Sequence, residues 1–173
     1  MRNYKEDLNN INTFIFDYDG VLTDGSVITT NEGEAYRTSC VKDGYALQIA
    51  AKKGYRIAVI SGARSDAMVH RMKALHVHDV FMGVEKKLVA FREYLSLHHI
   101  DRSEVLYMGD DIPDYEVMKE AGISACPADA AEEIKTVARY ISHVAGGRGC
   151  VRDVIEQVMK VQGKWMNEDG YHW

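Results

Sequence analysis

The fold of this chain is constrained most strongly by an apolar run that ends at two carboxylates. The run Thr13–Phe16 leads directly into Asp17 and Asp19, and Gly20 follows. A short run rich in Ile and Phe that ends at polar residues and glycine is typical of a buried strand. In open α/β sheets, ligands bind just beyond the carboxyl ends of such strands. The sequence therefore predicts a central strand, about Thr13 to Asp17, with two acidic side chains at the mouth of a binding site.

The two carboxylates allow more than one interpretation. Acidic groups this close repel each other unless a cation or a shared proton relieves them, which favours a cation site. A turn with a solvated pair of aspartates is the simpler alternative. A calcium loop of the EF-hand type is excluded by its register, because Val21, Leu22 and Ile28 stand where that loop needs a ligand, its glycine and its bidentate glutamate.

The composition is that of an ordinary globular protein and argues against several classes of function. The chain has 173 residues, 46% hydrophobic and 27% charged, which suits one domain with a sizeable core. A formal net charge of -5 argues against a nucleic-acid partner. No apolar run is long enough to span a membrane, and residues 1–12 lack the apolar core of a signal peptide. Cys40, Cys126 and Cys150 are too few and too scattered for a disulfide framework, so we expect reduced thiols in a cytoplasmic protein.

Strand and helix patterns alternate along the rest of the chain. Beyond the first strand, strands are predicted at about 56–60, 79–82, 104–108, 123–125 and 140–144. Helices are predicted from a cap at Asp43 to about 54, from a cap at Ser65 to about 75, and over 86–98, 130–136 and 150–161. Two β-prone runs around Asn31-Glu32-Gly33 predict a hairpin at about 26–40. This alternation predicts one domain over residues 1–173, a doubly wound parallel sheet with helices on both faces and a polar, aromatic-bearing tail at about 163–173.

Polar residues that could take part in a reaction follow three of the predicted strands or begin a predicted helix. After Asp17 and Asp19 come Ser61, Lys87 and the stretch Gly109–Asp114, which contains Asp110 and Asp111. In this order, at the carboxyl edge of a parallel sheet, the set resembles the haloacid dehalogenase superfamily of phosphotransferases. The resemblance implies a phosphatase core of this fold.

The resemblance also implies a role for each of these residues. Asp17 would be the nucleophile that forms an aspartyl-phosphate, and Asp19 would be the general acid and base. Mg²⁺ would bind the Asp17 carboxylate, the Asp19 backbone carbonyl and the Asp110 carboxylate. Ser61 would hold phosphoryl oxygens, and Lys87 would neutralise charge in the transition state. Asp114 would orient Lys87, and Asp111 would support the site from outside the set of metal ligands.

Members of the superfamily usually carry a cap domain, and this chain has no room for one. The hairpin and one helix occupy the chain between residues 17 and 61, and one helix and one strand occupy residues 87–110. An uncapped site is open to water, so another part of the assembly must cover the leaving group. We therefore expect an inserted hairpin, no cap domain and a contribution from a neighbouring subunit.

A narrower resemblance rests on longer stretches of sequence. The run Asp17–Gly25, the hairpin, Val41-Lys42-Asp43-Gly44 and Ala145–Asp153 are together similar to the 3-deoxy-manno-octulosonate 8-phosphate phosphatases. That family implies a capless, Mg²⁺-dependent homotetramer that takes part in lipopolysaccharide synthesis. In it, hairpins associate at the centre, and a C-terminal tail, here Gly163 to Trp173, reaches a neighbouring subunit's site.

The same resemblance implies which residues contact the phosphorylated sugar acid. Arginine suits the substrate's carboxylate because it binds such groups through two parallel hydrogen bonds. Two positions depart from the family pattern: Ala63 stands where Arg is common, and Gln48 stands where many members have Arg. The implied substrate-binding residues are Cys40, Val41, Lys42, Asp43, Gly44, Gln48, Arg64, Arg71 and Lys87.

Three other functions compete with this interpretation. One is a phosphatase of the nine-carbon sugar acid 9-phosphate, whose relatives carry acidic and lysine residues where this chain has Ala63 and Arg64. Another is a phospho-receiver module, in which the phosphoacceptor and the acidic pair lie on different strands. The third is a catalytically silent oligomerisation domain, against which four retained residues argue: Asp17, Asp19, Lys87 and Asp110.

Overall fold

A six-stranded parallel sheet forms the centre of the molecule. The computed structural model describes residues 4–166. Its strands are β1 (Thr13–Phe16), β2 (Ile28–Thr29), β3 (Ala35–Tyr36), β4 (Arg56–Ile60), β5 (Asp79–Phe81), β6 (Val105–Met108), β7 (Ile123–Cys126) and β8 (Tyr140–Ile141). The sheet has the order β5-β4-β1-β6-β7-β8, and each of its neighbouring strand pairs is parallel. This confirms the predicted parallel α/β sheet and places β1 at its centre.

Helices cover both faces of the sheet. They are α1 (Tyr4–Asp7), α2 (Val41–Lys52), α3 (Asp66–Ala74), α4 (Lys87–His98), α5 (Tyr115–Glu120), α6 (Glu132–Val137) and α7 (Cys150–Val161). Alternate side chains of β1 enter two separate hydrophobic clusters. Phe14 and Phe16 pack with α2, α3 and α7, whereas Ile15 packs with α4, α5 and α6. Each fully buried Phe or Ile contributes about 1.5–3 kcal/mol, so β1 joins the two halves of the core.

Of two predicted helix N-caps, the structure confirms one and contradicts the other. The Ser65 hydroxyl accepts a hydrogen bond from the Met68 backbone N–H, which confirms the predicted cap of α3. The predicted cap at Asp43 is wrong, because α2 begins two residues earlier at Val41 and Asp43 lies in its first turn. The Asp43 carboxylate instead accepts a 2.7 Å hydrogen bond from the Arg152 backbone N–H, in the first turn of α7. A long-range contact has replaced the local one.

The hairpin is formed by β2 and β3, which pair Ile28 with Tyr36 and Thr29 with Ala35. Gly33 makes the turn at φ 84°, a left-handed conformation that glycine adopts without strain. Ile28 is 66% exposed and Tyr36 is 54% exposed. Apolar surface of both strands is therefore open to solvent within the single chain.

The segments in which a cap domain would be inserted hold only short elements. Between β1 and β4 the chain forms the hairpin and α2, and between α4 and β6 it forms one short 3-10 turn. The described residues therefore contain no cap domain, as predicted. Within the same residues, no helix combines the length and the apolar character needed to cross a bilayer.

Only the first part of the predicted tail lies among the described residues. After α7 the chain turns back, and Trp165 packs edge-on against Tyr45, with the Arg152 guanidinium 5.4 Å from its ring. The Lys164 ammonium lies 4.7 Å above the Tyr55 ring. Gly163–Met166 therefore includes contacts with the chain's own α2 and α7, and residues 167–173 lie outside the described range.

Candidate active site

Three strand ends and one helix start meet in a single pocket. Asp17 follows β1, Ser61 follows β4, Asp110 and Asp114 follow β6, and Lys87 begins α4. Because β4, β1 and β6 are adjacent and parallel, their carboxyl ends lie side by side. The pocket has a volume of about 410 Å³ and is lined by Asp17, Asp19, Gly20, Gly25, Ser61, Gly62, Ala63, Val84, Glu85, Lys87, Asp110, Asp111, Pro113 and Asp114.

A buried lysine bridges two buried carboxylates at the base of this pocket. The Lys87 Nζ atom lies 2.9 Å from Asp17 Oδ1 and 2.7 Å from Asp114 Oδ1. The Tyr107 hydroxyl also donates to Asp114 Oδ1, and the Asp110 backbone N–H donates to Asp114 Oδ2. Both oxygens of Asp114 are therefore occupied, so this residue fixes Lys87 in place. Asp17 is held against the same lysine through Oδ1.

The electrostatics of the pocket favour an added cation. Burial, with repulsion from Asp114, raises the pKa of Asp17 from 3.8 to about 6. Burial and the charges of Asp17 and Asp114 raise the pKa of Asp110 from 3.8 to about 8. Burial lowers the pKa of Lys87, but Asp114 and Asp17 outweigh burial and the net shift is upward. Three carboxylates thus share one ammonium group, which leaves negative charge uncompensated.

The residues present fit a small divalent cation. Carboxylate oxygens of Asp17, Asp110 and Asp114 lie within 4.8 Å of one another. Asp110 Oδ1 is buried and has no hydrogen-bond partner, and a buried oxygen of this kind is suited to coordinate a cation. Gly20 makes room for this carboxylate, since a Cβ there would stand 2.0 Å from Asp110 Oδ2. Mg²⁺ prefers such oxygen ligands, and Asp17 and Asp110 are the carboxylates that remain available to it.

Ser61 and Asp111 have the positions expected from the sequence. Ser61 is buried, and its hydroxyl accepts a 3.2 Å hydrogen bond from the Ala63 backbone N–H, which orders the loop after β4. Asp111 lines the outer wall of the pocket, and its carboxylate accepts from the Ile112 backbone N–H. Its role is to hold the turn that carries Asp110 and Asp114.

The late glycine stretch packs directly on the loop that carries Asp19. A Cβ at Gly146 would lie 1.9 Å from the Gly20 carbonyl oxygen, and one at Gly147 would lie 2.4 Å from the Asp24 backbone nitrogen. The Gly147 N–H donates to the Val21 carbonyl. Only glycine allows this approach. The resemblance singled out this stretch, and its contact with the Asp17–Gly25 loop gives a physical reason for it.

Three residues of the site were not predicted from the sequence. Arg37, just after β3, donates from Nε to Asp19 Oδ1 at 2.6 Å, and Glu85 lines the pocket. Arg37 lies in a hairpin that otherwise shows only β-prone patterning, so no local signal marked it. Tyr107 lies within the strand predicted at about 104–108, and its hydroxyl is part of the buried network around Asp114.

Most of the implied substrate contacts lie outside the lining of this pocket. Asp43, Gly44 and Cys40 line a small cavity together with Arg71, whose guanidinium lies against Gly44. Lys42 faces a third cavity beside Arg148 and Arg152. The side chains of Arg64, which lies over Gly83, and of the exposed Val41 are outside the lining too, as is Gln48, whose buried Oε1 has no partner. Lys87 alone among these residues lines the Asp17 pocket, and the other contacts stay predictions.

Comparison with known proteins agrees with this geometry. Residues 76–152 match the family model described as haloacid dehalogenase-like hydrolase. A curated 3-deoxy-D-manno-octulosonate 8-phosphate phosphatase of Salmonella typhi is 37% identical over 155 residues, which cover 90% of this chain and 82% of the relative. This chain belongs to the 3-deoxy-D-manno-octulosonate 8-phosphate phosphatase family.

Solved structures of this phosphatase family have the same fold. The enzyme of Yersinia pestis superposes with a TM-score of 0.92 at 32% identity, covering 94% of this chain and 88% of that one. The enzyme of Moraxella catarrhalis, solved with magnesium, phosphate and KDO, gives 0.91 at 32% identity and covers 94% of each chain. The fold expected of a capless phosphatase of this family is confirmed.

Proposed function

We propose that this protein is a Mg²⁺-dependent phosphatase that hydrolyses 3-deoxy-D-manno-octulosonate 8-phosphate to the free sugar acid and phosphate. The observation that carries this proposal is the Lys87 bridge between Asp17 and Asp114, beside the unpartnered oxygen of Asp110. That arrangement holds one reactive carboxylate oxygen, a fixed cation and room for a second cation at one point. The family's printed activity supplies the substrate.

Hydrolysis proceeds in two displacements on phosphorus. An Asp17 oxygen attacks the phosphorus atom, the bond to the sugar oxygen breaks, and Asp19 transfers its proton to that oxygen to release the alcohol. A water molecule then attacks the aspartyl-phosphate and gives a proton to Asp19, the bond between phosphorus and the Asp17 oxygen breaks, and phosphate leaves. Asp19 thus returns to its starting state.

Positioned charges lower the barrier of both displacements. Lys87 lies against Asp17 and can face the equatorial phosphoryl oxygens, while Asp114 and Tyr107 hold it in place. Ser61 and the N–H groups of its loop donate to the same oxygens. Mg²⁺ bound by Asp17, Asp110 and the Asp19 carbonyl would supply charge that offsets both the substrate's negative charge and the repulsion among the aspartates.

The sugar acid requires contacts beyond the phosphate site. Arg64 directly follows Ala63, which lines the pocket, and is proposed to bind the substrate's carboxylate. Residues 40–44, Gln48 and Arg71 are proposed to line the rest of the sugar-acid site in the assembled protein. Because these side chains do not line the Asp17 pocket of one chain, this part of the proposal depends on the assembly.

We infer a homotetramer held by its hairpins, with residues from a neighbouring chain, including the tail, covering each site. The exposed Ile28 and Tyr36 on the hairpin support this assembly. The free thiols of Cys40, Cys126 and Cys150 suit the cytoplasm, where the enzyme would act in making the sugar acid of lipopolysaccharide.

The experiment that tests the function is phosphate release with and without Mg²⁺. Substrates are the eight-carbon sugar-acid 8-phosphate, its nine-carbon 9-phosphate counterpart and an aryl phosphate. We expect Mg²⁺-dependent turnover that is fastest on the eight-carbon substrate and absent in Asp17→Asn, which lacks the nucleophile. Faster turnover of the nine-carbon substrate would favour the close relative, and no turnover at all would favour a receiver or a silent oligomerisation domain.

A further inference from the structure

The hairpin reaches the active site through one ion pair. Arg37 Nε donates to Asp19 Oδ1 at 2.6 Å, and the Arg37 side chain is only 12% exposed although its hairpin neighbours are open to solvent. Its NH1 group donates to the Ala35 carbonyl at 3.4 Å, which ties the guanidinium to β3. The side chain of Asp19 is 31% exposed and lines the pocket.

A second donor holds the same oxygen of Asp19. The Thr23 hydroxyl lies 3.4 Å from Asp19 Oδ1, while its own oxygen accepts from the Gly20 and Gly25 backbone N–H groups at 3.3 Å each. Thr23 is fully buried, so this loop is a fixed frame. Asp19 Oδ1 is therefore engaged by Arg37 and Thr23, and Oδ2 is the oxygen left to exchange a proton with the substrate.

We propose that Arg37 is a positioning residue that orients the Asp19 carboxylate for proton transfer and thereby makes the hairpin part of the active site. This inference rests on the proposed function, in which Asp19 protonates the leaving sugar oxygen. Arg37 acts through Asp19 and does not touch the substrate. A guanidinium suits this task because it is planar and always charged, and its Nε–H is fixed in direction.

If Arg37 orients Asp19, the loss in activity on removing Arg37 should depend on the leaving group, which a merely structural role would not produce. Proton donation matters for a sugar alkoxide, which is a poor leaving group, and matters little for a phenolate of an acidic phenol. The quantity to measure is kcat/KM, since it reports the steps up to formation of the aspartyl-phosphate. Substrates are the sugar-acid 8-phosphate and a series of aryl phosphates whose phenols range from strongly to weakly acidic.

With the Mg²⁺-loaded full chain, we expect Arg37→Ala to lose about 10- to 100-fold on the sugar-acid phosphate, because misplacing a reacting group by about 1 Å costs about 100-fold. On p-nitrophenyl phosphate the loss should be less than about 3-fold, because the leaving group needs little proton donation. The dependence on leaving-group acidity should become steeper, and Arg37→Lys should recover part of the loss. Arg92→Ala, which removes an exposed arginine paired with Glu120 far from the pocket, should match the wild type on every substrate.

A double-mutant cycle with Asp19→Asn separates orientation from direct substrate contact. If Arg37 acts through Asp19, adding Arg37→Ala to Asp19→Asn costs nothing further on the sugar-acid phosphate. An additional loss equal to that in the wild-type background would mean that Arg37 binds the phosphoryl group or the sugar, and it would overturn the proposal. An equal loss on all leaving groups in the single variant would overturn it as well.

Melting curves and sedimentation show whether Arg37→Ala keeps its fold and assembly. If it does not, Arg37→Gln replaces it in these experiments, because glutamine keeps a hydrogen-bond donor on a long side chain but lacks the charge. If kcat/KM of that variant depends on leaving-group acidity as in the wild type, the proposal is overturned. The proposed function fails separately, through a wild type without Mg²⁺-dependent turnover or an active Asp17→Asn variant.

Discussion

Five aspartates line one pocket, and four of them have surroundings that suit different tasks. Asp114 has both oxygens occupied by Lys87, Tyr107 and the Asp110 N–H, so it serves as a fixed support. Asp17 also contacts Lys87, whereas Asp19 is paired with Arg37 in a more open position. Asp110 has no protein partner for its buried Oδ1. The partners of the four carboxylates therefore differ in the way that the proposed roles of support, nucleophile, proton carrier and metal ligand require.

Asp110 should destabilise the metal-free protein at alkaline pH. Its pKa is about 8 in the folded protein, raised mainly by burial, against about 3.9 in an unfolded chain. Between these values the folded state holds the extra proton, so stability falls as pH rises through this window. In a chelator at pH 8, Asp110→Asn should melt about 3 °C or more above the wild type, which corresponds to about 1 kcal/mol at this chain length.

The two melting temperatures should converge as pH falls towards about 4, where the wild-type carboxyl is protonated in both states. Added Mg²⁺ should raise the melting temperature of the wild type and not that of Asp110→Asn, because ligand binding stabilises only a protein that holds the ligand. Asp111→Asn, a change at the exposed neighbouring aspartate, is the control. A difference that does not vary with pH would contradict this account of Asp110.

Helices α2 and α7 act as one unit because a buried carboxylate joins them. Asp43 in the first turn of α2 accepts from the Arg152 N–H of α7, and burial raises its pKa despite this hydrogen bond. The N-terminus of α7 follows Gly146 and Gly147, which pack on the Asp19 loop. The start of α2 is thus linked through α7 to the loop that carries Asp19.

Asp43→Ala should lower the free energy of unfolding by about 2 kcal/mol, the upper range for losing a side chain that caps a helix. Asp43→Asn, which keeps the accepting oxygen, should lose less than half of that. Urea unfolding of both variants measures the difference, with Lys52→Ala at the exposed end of α2 as the control. Equal losses in the Ala and Asn variants would show that the negative charge, and not the hydrogen bond to Arg152, holds the two helices together.

In the molecule as a whole, one edge of the sheet brings the proposed catalytic residues together within a single chain. Asp17, Ser61, Lys87 and Asp110 converge in the single chain, but the apolar hairpin is exposed and the pocket lacks a cap. The first tail residues pack on the chain's own α2 and α7 through Trp165. The tail therefore has an anchoring part, Gly163–Met166, and a terminal part, residues 167–173, which lies outside the described residues.

Two truncations should separate these parts of the tail. A chain ending at Gln162 loses the Trp165 contacts and should melt at a lower temperature than the full chain, since a partly buried aromatic ring is worth about 1–2 kcal/mol. A chain ending at Met166 should melt like the full chain but turn over the sugar-acid phosphate more slowly if the terminal part covers a neighbouring site.

Sedimentation should show intact tetramers for both truncations, whereas Ile28→Lys, which places a charge on the exposed hairpin, should dissociate them. Unchanged kinetics of the chain ending at Met166 would dismiss residues 167–173 as a cover. Dissociation caused by either truncation would assign the tail to assembly.

Local sequence patterns were enough to predict the sheet and the polar residues at the carboxyl ends of its strands. An apolar run that stops at an aspartate or a serine is visible within a few residues, and parallel pairing brings all such ends to one edge. Asp17, Ser61 and Asp110 were therefore predictable before any contact between them was known, whereas Lys87, at the start of a helix, was chosen over Lys86 from the resemblance. The resemblance to a phosphatase family added their roles, and the alternation of strands and helices correctly left no room for a cap.

Contacts between distant parts of the chain were not predictable in this way. Arg37 reaches Asp19 across 18 positions, and Asp43 bonds Arg152 across 109, although its neighbours alone favoured a cap on α2. The hydrogen-bond donor of a buried carboxylate depends on which helix or hairpin packs against it. That packing depends on the whole core and not on the neighbouring sequence. The amino-acid order thus specified which side chains stand at the strand ends, and three-dimensional packing specified which partners orient them.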